Sequence, residues 1–326
     1  MKQVIEAIKK YKSFVITAHV NLEGDSLGSQ LAMKDLLDRL GKKTTIVDSD
    51  AVPDHYKFLP GAEAVCNKID KNMKFDAMMI LDCPTLKRIG RVRELIGKDT
   101  PVISVDHHVS NEKFGGVNWV DSNASSAGEM VYRLFKAMNV PLTKETALYL
   151  YIAILTDTGS FNYENTSSIT HEIAGELLGY GLDPAIVSEK VYERRSVSDL
   201  KFLGHVLSTI KLDKKGEVAY LEITKKLLQK TGADISKSEG FVNYARSIDK
   251  VKVAMLFRED PKIPNRVNVS FRSKGNIDVN GIASCFGGGG HVKASGCIID
   301  GNIKEAKAKV LKKVRDILDG RDIGCR

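Results

Sequence analysis

Three apolar runs, each ending on side chains that bind cations, constrain this chain more than any other feature. FVIT at Phe14–Thr17 leads into His19, FDAMMIL at Phe75–Leu81 into Asp82, and PVISV at Pro101–Val105 into Asp106, His107 and His108. Short continuous apolar runs separated by helical segments read as parallel strands buried on both faces. In an open sheet of that kind, ligands collect beyond the carboxyl ends of the strands. Crossover helices are at hand. Leu31, Leu36, Leu37 and Leu40 recur at helical spacing before Gly41, and helices are expected over Ser126–Met138, Lys144–Leu155 and His171–Leu178. Lys43–Val47 supplies a further strand, and the Lys144 helix delivers Asp157. The expected fold class is α/β, a mostly parallel sheet flanked by helices.

The stretch FVITAHVNLEGDSLGS concentrates the chemistry. It places His19, Glu23 and Asp25 on a turn between a strand and a helix that opens near Ser26. One imidazole and two carboxylates suit a hard divalent cation such as Mn²⁺ or Mg²⁺ better than a structural zinc. Any one such residue is more often a helix cap or a turn former. It is the recurrence at successive element ends that argues for a metal site: His19, Glu23, Asp25, Asp82, Asp106, His107, His108 and Asp157. His55, His171 and His205 fit no such pattern.

The second half has a different character. A helical, charged stretch is expected as a connector over 186–210, between a domain at 1–185 and another at 211–326. Strands are expected at Val218–Ile223, Val251–Phe257 and Arg266–Phe271. The last two alternate apolar and polar residues, as in a sheet with one solvated face. A glycine-rich CFGGGGHVKASG follows at Cys285–Gly296, then an amphipathic helix over Ile303–Leu318. Residues 206–326 carry 24 Lys and Arg against 14 Asp and Glu, so the net charge of +8 belongs to this half. A basic part joined to an acidic, cation-binding part suits a polyanionic substrate, although a solvated lysine surface has the same composition. No apolar run is long enough to span a bilayer and the first residues form an amphipathic helix, so a cytoplasmic protein is expected. The five cysteines are scattered and form no C-x-x-C, which indicates neither a disulfide framework nor a zinc knuckle.

The motifs resemble those of a DHH-family phosphoesterase. HVNLEGDSLGS at His19–Ser29, LDCP around Asp82, VDHH at Val105–His108 and LTDTGSF around Asp157 occur in the family order, and GGGGH at Gly287–His291 resembles the motif of its associated C-terminal domain. The resemblance implies two cations, Mn²⁺ with Mg²⁺ or Co²⁺ as substitutes, about 3.5–4 Å apart and jointly activating a water for phosphoester hydrolysis. By similarity His19, Glu23 and Asp82 hold one ion, and Asp25, Asp82, His107 and Asp157 the other, with Asp82 bridging. His108 addresses the phosphoryl oxygen or leaving group, and Asp106 orients a neighbouring histidine. The family more often has Asp where this chain has Glu23, which alters the reach of that ligand.

The second domain is expected to recognise substrate. Gly288, Gly289 and Gly290 let backbone N–H groups approach a phosphate, and His291 adds a hydrogen bond or charge. Arg272 in SFRSK is the expected phosphate clamp, with Ser273 and Arg246 as further candidates. Length and layout are similar to the family's nanoRNases, which also remove the 3′-phosphate of pAp. Short RNA or DNA oligonucleotides, linear dinucleotides such as pGpG, and pAp are therefore the expected substrates, with a homodimer left open. A RecJ-like exonuclease on longer single strands and a weakly catalytic oligonucleotide-binding protein are the alternatives.

Overall fold

The computed structural model describes residues 1–238 and 240–321. Its contacts separate two units, Met1–Arg194 and a second from Arg195 onward.

The first unit holds a five-stranded sheet, β1 (Ser13–Thr17), β2 (Lys43–Ile46), β3 (Ala77–Leu81), β4 (Val102–Asp106) and β5 (Val117–Val120), in the order β2-β1-β3-β4-β5. Every neighbouring pair is parallel. Alternate residues feed two separate cores. Phe14, Ile16, Met79, Leu81, Ile103 and Val105 pack with the helices, while Val15, Met78 and Ile80 pack with Ile89, Val92 and Leu95. This two-sided burial is why the strands read as unbroken apolar runs. Residues 75 and 76 fall outside β3, and the Asp76 carboxylate accepts the N–H groups of Lys12 (2.8 Å) and Ser13 (2.9 Å). The strand β5 carries no clear signal, since all four of its residues are only half-buried.

Six helices belong to this unit: α1 (Lys2–Lys10), α2 (Gly24–Arg39), α3 (Ala127–Ala137), α4 (Lys144–Asp157), α5 (Ser168–Leu178) and α6 (Pro184–Tyr192). The helix α4 is central and apolar, with Leu150, Ile152, Ala153 and Ile154 fully buried. Neighbouring helices approach it at glycines. A Cβ on Gly28 of α2 would lie 2.4 Å from the Tyr149 carbonyl, and one on Gly128 of α3 would lie 2.4 Å from the Ala153 methyl. The expected connector proves to be two helices in different cores. Val187 and Val191 of α6 join the first unit's core, whereas Phe202, Leu203 and Val206 of α7 (Val197–Leu207) join a core of the second.

The second unit carries a mixed sheet of β6 (Lys211–Leu212), β7 (Val218–Ile223), β8 (Val253–Glu259), β9 (Arg266–Ser273), β10 (Gly289–Gly290) and β11 (Ala294–Asp300), in the order β10-β11-β9-β8-β7-β6. Only the β7–β8 pair is parallel among the described strands of this second sheet. Helices α8 (Lys225–Thr231), α9 (Phe241–Ser247), α10 (Val279–Ser284) and α11 (Ile303–Leu318) complete it. One expectation is corrected here. Alternation holds for β9, but β8 is buried on both faces, with Val253, Met255 and Phe257 in the α10–α11 core and Ala254 and Leu256 in the α7–α9 core. Cys66, Cys83 and Cys297 are free thiols. No helix among the described residues is long and apolar enough to cross a membrane.

The helix contacts make a prediction. Gly28→Ala would drive a methyl into backbone, whereas Gly175 on α5 has open space around its Cβ position. Urea denaturation should show Gly28→Ala losing about 2 kcal/mol or more, and Gly175→Ala gaining about 0.5–1 kcal/mol from restricted chain entropy.

Candidate metal centre

The strand-end side chains of the first unit converge. The chain leaves β1 at buried His19, whose Nδ1 lies 2.7 Å from the Val20 carbonyl and whose Nε2 lies 3.3 Å from both Glu23 Oε1 and Asp82 Oδ2. Glu23 precedes the first turn of α2, where its N–H donates to Ser26 Oγ (2.8 Å), and its side chain is about half exposed at 49%. Asp25, in the first turn of α2, is buried. Its two oxygens accept the N–H groups of Ala127 (2.7 Å) and Gly128 (2.9 Å) at the start of α3. An anion at a helix start is stabilised by the orphan N–H donors there.

Asp82 follows β3 with φ at +50°, a conformation that costs a side-chain-bearing residue energy and recurs at functional sites. Its two oxygens face different histidines. Oδ2 lies toward His19, while Oδ1 lies 3.6 Å from His107 Nε2 and 3.6 Å from His108 Nδ1. His107 Nε2 also lies 3.6 Å from Asp25 Oδ2 and 3.5 Å from Asp157 Oδ2. Asp106, fully buried at the end of β4, accepts from His108 Nδ1 (2.7 Å) and from the His107 N–H (2.9 Å). Asp106 thus orients His108 through one ring nitrogen.

Packing carboxylates this closely distorts their titration. Burial and the Asp82 and Asp157 charges hold Asp25 well above the usual carboxylate range. Burial, opposed by His107, lifts Asp157 to about 6. Burial also opposes charging of His19, but hydrogen bonds to Asp82 and Glu23 outweigh it and carry the imidazole up to about 10. Among the described residues, the basic groups within ion-pair reach of Asp25, Asp82 and Asp157 are all histidines. Two buried carboxylates and the half-buried Asp157, without a lysine or arginine to neutralise them, fit divalent cations, and Asp25, Asp82 and His107 bring one donor atom each within 4.8 Å of one another.

In the second unit the glycine run is not a loose loop. Gly289 and Gly290 form β10 against Gly296 and Ser295 of β11, and a Cβ on Gly288 would lie 2.1 Å from the Gly296 carbonyl. His291 sits at the hairpin turn, its N–H donating to the Ala294 carbonyl (2.8 Å). Ser273 is buried and donates to the Ile277 carbonyl (2.7 Å), so its hydroxyl proton is committed to closing that turn. Arg272 lies on β9 with Nη1 donating to the Phe271 carbonyl (2.9 Å), and Arg246 is half-buried on α9.

Comparison with known proteins agrees with this arrangement. Residues 13–154 match the model of the DHH family N-terminal domain and residues 215–320 match that of the DHHA1 domain. The chain is 32% identical over 320 residues to the bifunctional oligoribonuclease and PAP phosphatase NrnA of Thermus thermophilus, covering 98% of this chain and 94% of that one. It belongs to the DHH phosphoesterase family. The Bacillus subtilis protein of the same description is 27% identical, covering 91% and 92%. A crystal structure of an exopolyphosphatase-related protein from Bacteroides fragilis superposes with a TM-score of 0.87 at 31% identity, covering 98% of this chain and 97% of that one. RecJ from Thermus thermophilus, solved in complex with Mn²⁺, has a TM-score of 0.53 at 14% identity and matches over 55% of its length, a likeness of fold alone.

Several site neighbours of this DHH protein escape sequence reasoning. Asp48 is buried, and its Oδ1 accepts from Thr17 Oγ1 (3.1 Å), the Ala18 N–H (3.2 Å) and Gln30 Nε2 (3.2 Å), tying the end of β1 to α2. The Asn111 amide donates to Asp106 Oδ2 (2.7 Å) and to the Cys83 carbonyl (3.2 Å). Asn165 donates toward Asp157. In the second unit Arg258 of β8 shares a sheet face with Arg272 and donates to Ser270 Oγ (2.9 Å).

Titration of Asp157 gives a test. Its folded value of about 6 lies above the ordinary 3.8, so the folded state holds the proton more tightly and stability falls as pH rises through that window. At pH 7.5 in chelator, Asp157→Asn should be more stable than wild type by about 1 kcal/mol or more in urea denaturation. Saturating Mn²⁺ should reverse the order, because the substituted site binds the ion less well.

Proposed function

We propose that this DHH phosphoesterase degrades short oligonucleotides to mononucleotides and hydrolyses pAp to AMP, using a pair of Mn²⁺ ions. The observation that carries the reading is Asp82, whose two oxygens address separate groups of ligands, His19 and Glu23 on one side and His107 with Asp25 and Asp157 on the other. His19, Glu23 and Asp82 would hold one ion, and Asp25, Asp82, His107 and Asp157 the second. When bound, such a pair lowers the pKa of water and neutralises charge developing on a phosphoryl group.

The chain's own residues do the rest. The start of α3 clamps the Asp25 carboxylate in one orientation, and left-handed Asp82 is held between imidazoles of β1 and β4. Asp106 fixes the plane of His108, the residue assigned to the phosphoryl oxygen or the leaving group. Arg272 and the glycine hairpin, with Arg246 and His291, are assigned to substrate phosphates, whereas the donors of buried Ser273 are spent on the Ile277 and Lys293 carbonyls. Grip by guanidinium and backbone N–H groups is independent of base identity, in keeping with a short and sequence-neutral substrate. Support for the substrate class comes from relatives described as oligoribonuclease and PAP phosphatase that match this chain over nearly their whole length.

Hydrolysis of pAp, pGpG, a five-nucleotide RNA and a long single-stranded DNA should be followed for wild type and Asp82→Ala with Mn²⁺. The short substrates and pAp should turn over, and Asp82→Ala should lower the rate by a factor of about 10³ or more, as expected when one carboxylate serves both cations. Activity confined to long DNA would reject the proposal.

A further inference from the structure

The turn that leaves α4 is the most strained segment near the site, and its role is not explained by ligand identity alone. Gly159, Ser160 and Phe161 are consecutive left-handed residues, with φ of +56°, +60° and +62°. Two of these bear side chains, at a cost of about 1 kcal/mol or more each, so the surroundings must enforce them. They do so through the Thr158 hydroxyl, which accepts the Phe161 N–H (3.1 Å), and through the Ser160 N–H, which donates to the Leu155 carbonyl (2.8 Å). The Asn162 amide bonds only turn carbonyls, those of Gly159 (2.9 Å) and Ser160 (3.0 Å). Phe161 is anchored by stacking on His171 of α5, with ring centres 5.1 Å apart.

The tight reversal returns Asn165 beneath the residue where α4 ended. Its amide nitrogen lies 3.3 Å from Asp157 Oδ2, 3.2 Å from the Asp157 carbonyl and 2.7 Å from the Ser125 carbonyl. Ser125 precedes Ser126, the residue that caps α3, whose first N–H groups hold Asp25. Ser125 is itself fixed by Glu129, which accepts from both its N–H (2.9 Å) and its hydroxyl (2.6 Å). One amide thus joins the segment bearing Asp157 to the segment that clamps Asp25.

We propose that Asn165 is a positioning residue for the second cation site, the strained turn existing to deliver its amide between Asp157 and the start of α3. This deepens the two-cation reading and rests on it. Residues that orient ligands without touching the metal typically change its affinity by about 10–100-fold when replaced. Asn162 is the internal control, since its amide holds the turn but no carboxylate.

Calorimetric titration of the metal-free protein with Mn²⁺, with melting curves in chelator, tests the idea on wild type, Asn165→Ala, Asn165→Asp and Asn162→Ala. Asn165→Ala should weaken one of the two binding steps by about tenfold or more, and Asn162→Ala should leave both within about twofold. Asn165→Asp sets a carboxylate against Asp157. Its Mn²⁺ affinity should show a steeper loss on acidification than that of Asn165→Ala, a pH signature that general loosening of the turn does not produce. Equal weakening by Asn162→Ala, or unchanged affinity in both Asn165 variants when their chelator melting curves match wild type, would overturn the proposal and leave the two-cation reading standing. If wild type bound no Mn²⁺, both would fall.

Discussion

The structure of the first unit depends on Asp82 being held between two imidazoles, one from the end of β1 and one from the end of β4. A buried carboxylate is costly unless it is paired and hydrogen-bonded. Burial works against Asp82, yet contacts from His107 and His19 keep its carboxyl well below the usual range. The same histidines are shared with Asp25, Asp157 and Glu23, so charges of one sign outnumber their partners. Such concentration of carboxylates is unfavourable in the bare protein and favourable around divalent cations, which is the trade between stability and function common at active sites.

Close helix packing makes that concentration attainable. Asp25 and Asp157 lie on α2 and α4, which approach through Gly28, while Gly128 brings the start of α3 against α4. At Gly24, in the turn between Glu23 and Asp25, a Cβ would lie 2.4 Å from Thr156 Oγ1. The glycines of the HVNLEGDSLGS motif are therefore packing residues as much as turn residues. They let the carboxylates on either side of them reach a common point.

Much of this was legible because both signals are local. Continuous apolar runs announced β1, β3 and β4, and the residue types at their ends announced the cluster. What stayed hidden depends on long-range partners. Asp48, Asn111 and Asn165 each act through single hydrogen bonds that leave no periodicity, and Asn165 is recognisable only once the left-handed turn has folded it back. The alternation expected over Val251–Phe257 fails because β8 runs between two cores and is buried on both faces. The glycine run carries no strand signal because glycine has little strand propensity, whereas Gly288 and Gly290 are required by the close approach of β10 and β11.

The central claim is that Asp82 joins two cation sites, and electron paramagnetic resonance during titration with Mn²⁺ addresses it most directly. The account predicts that wild type takes up two ions per chain and shows an exchange-coupled spectrum, and that Asp82→Asn loses the coupling while His19 and His107 still retain weak, isolated binding. Uptake of a single uncoupled ion by wild type, or coupling that survives Asp82→Asn, would contradict it.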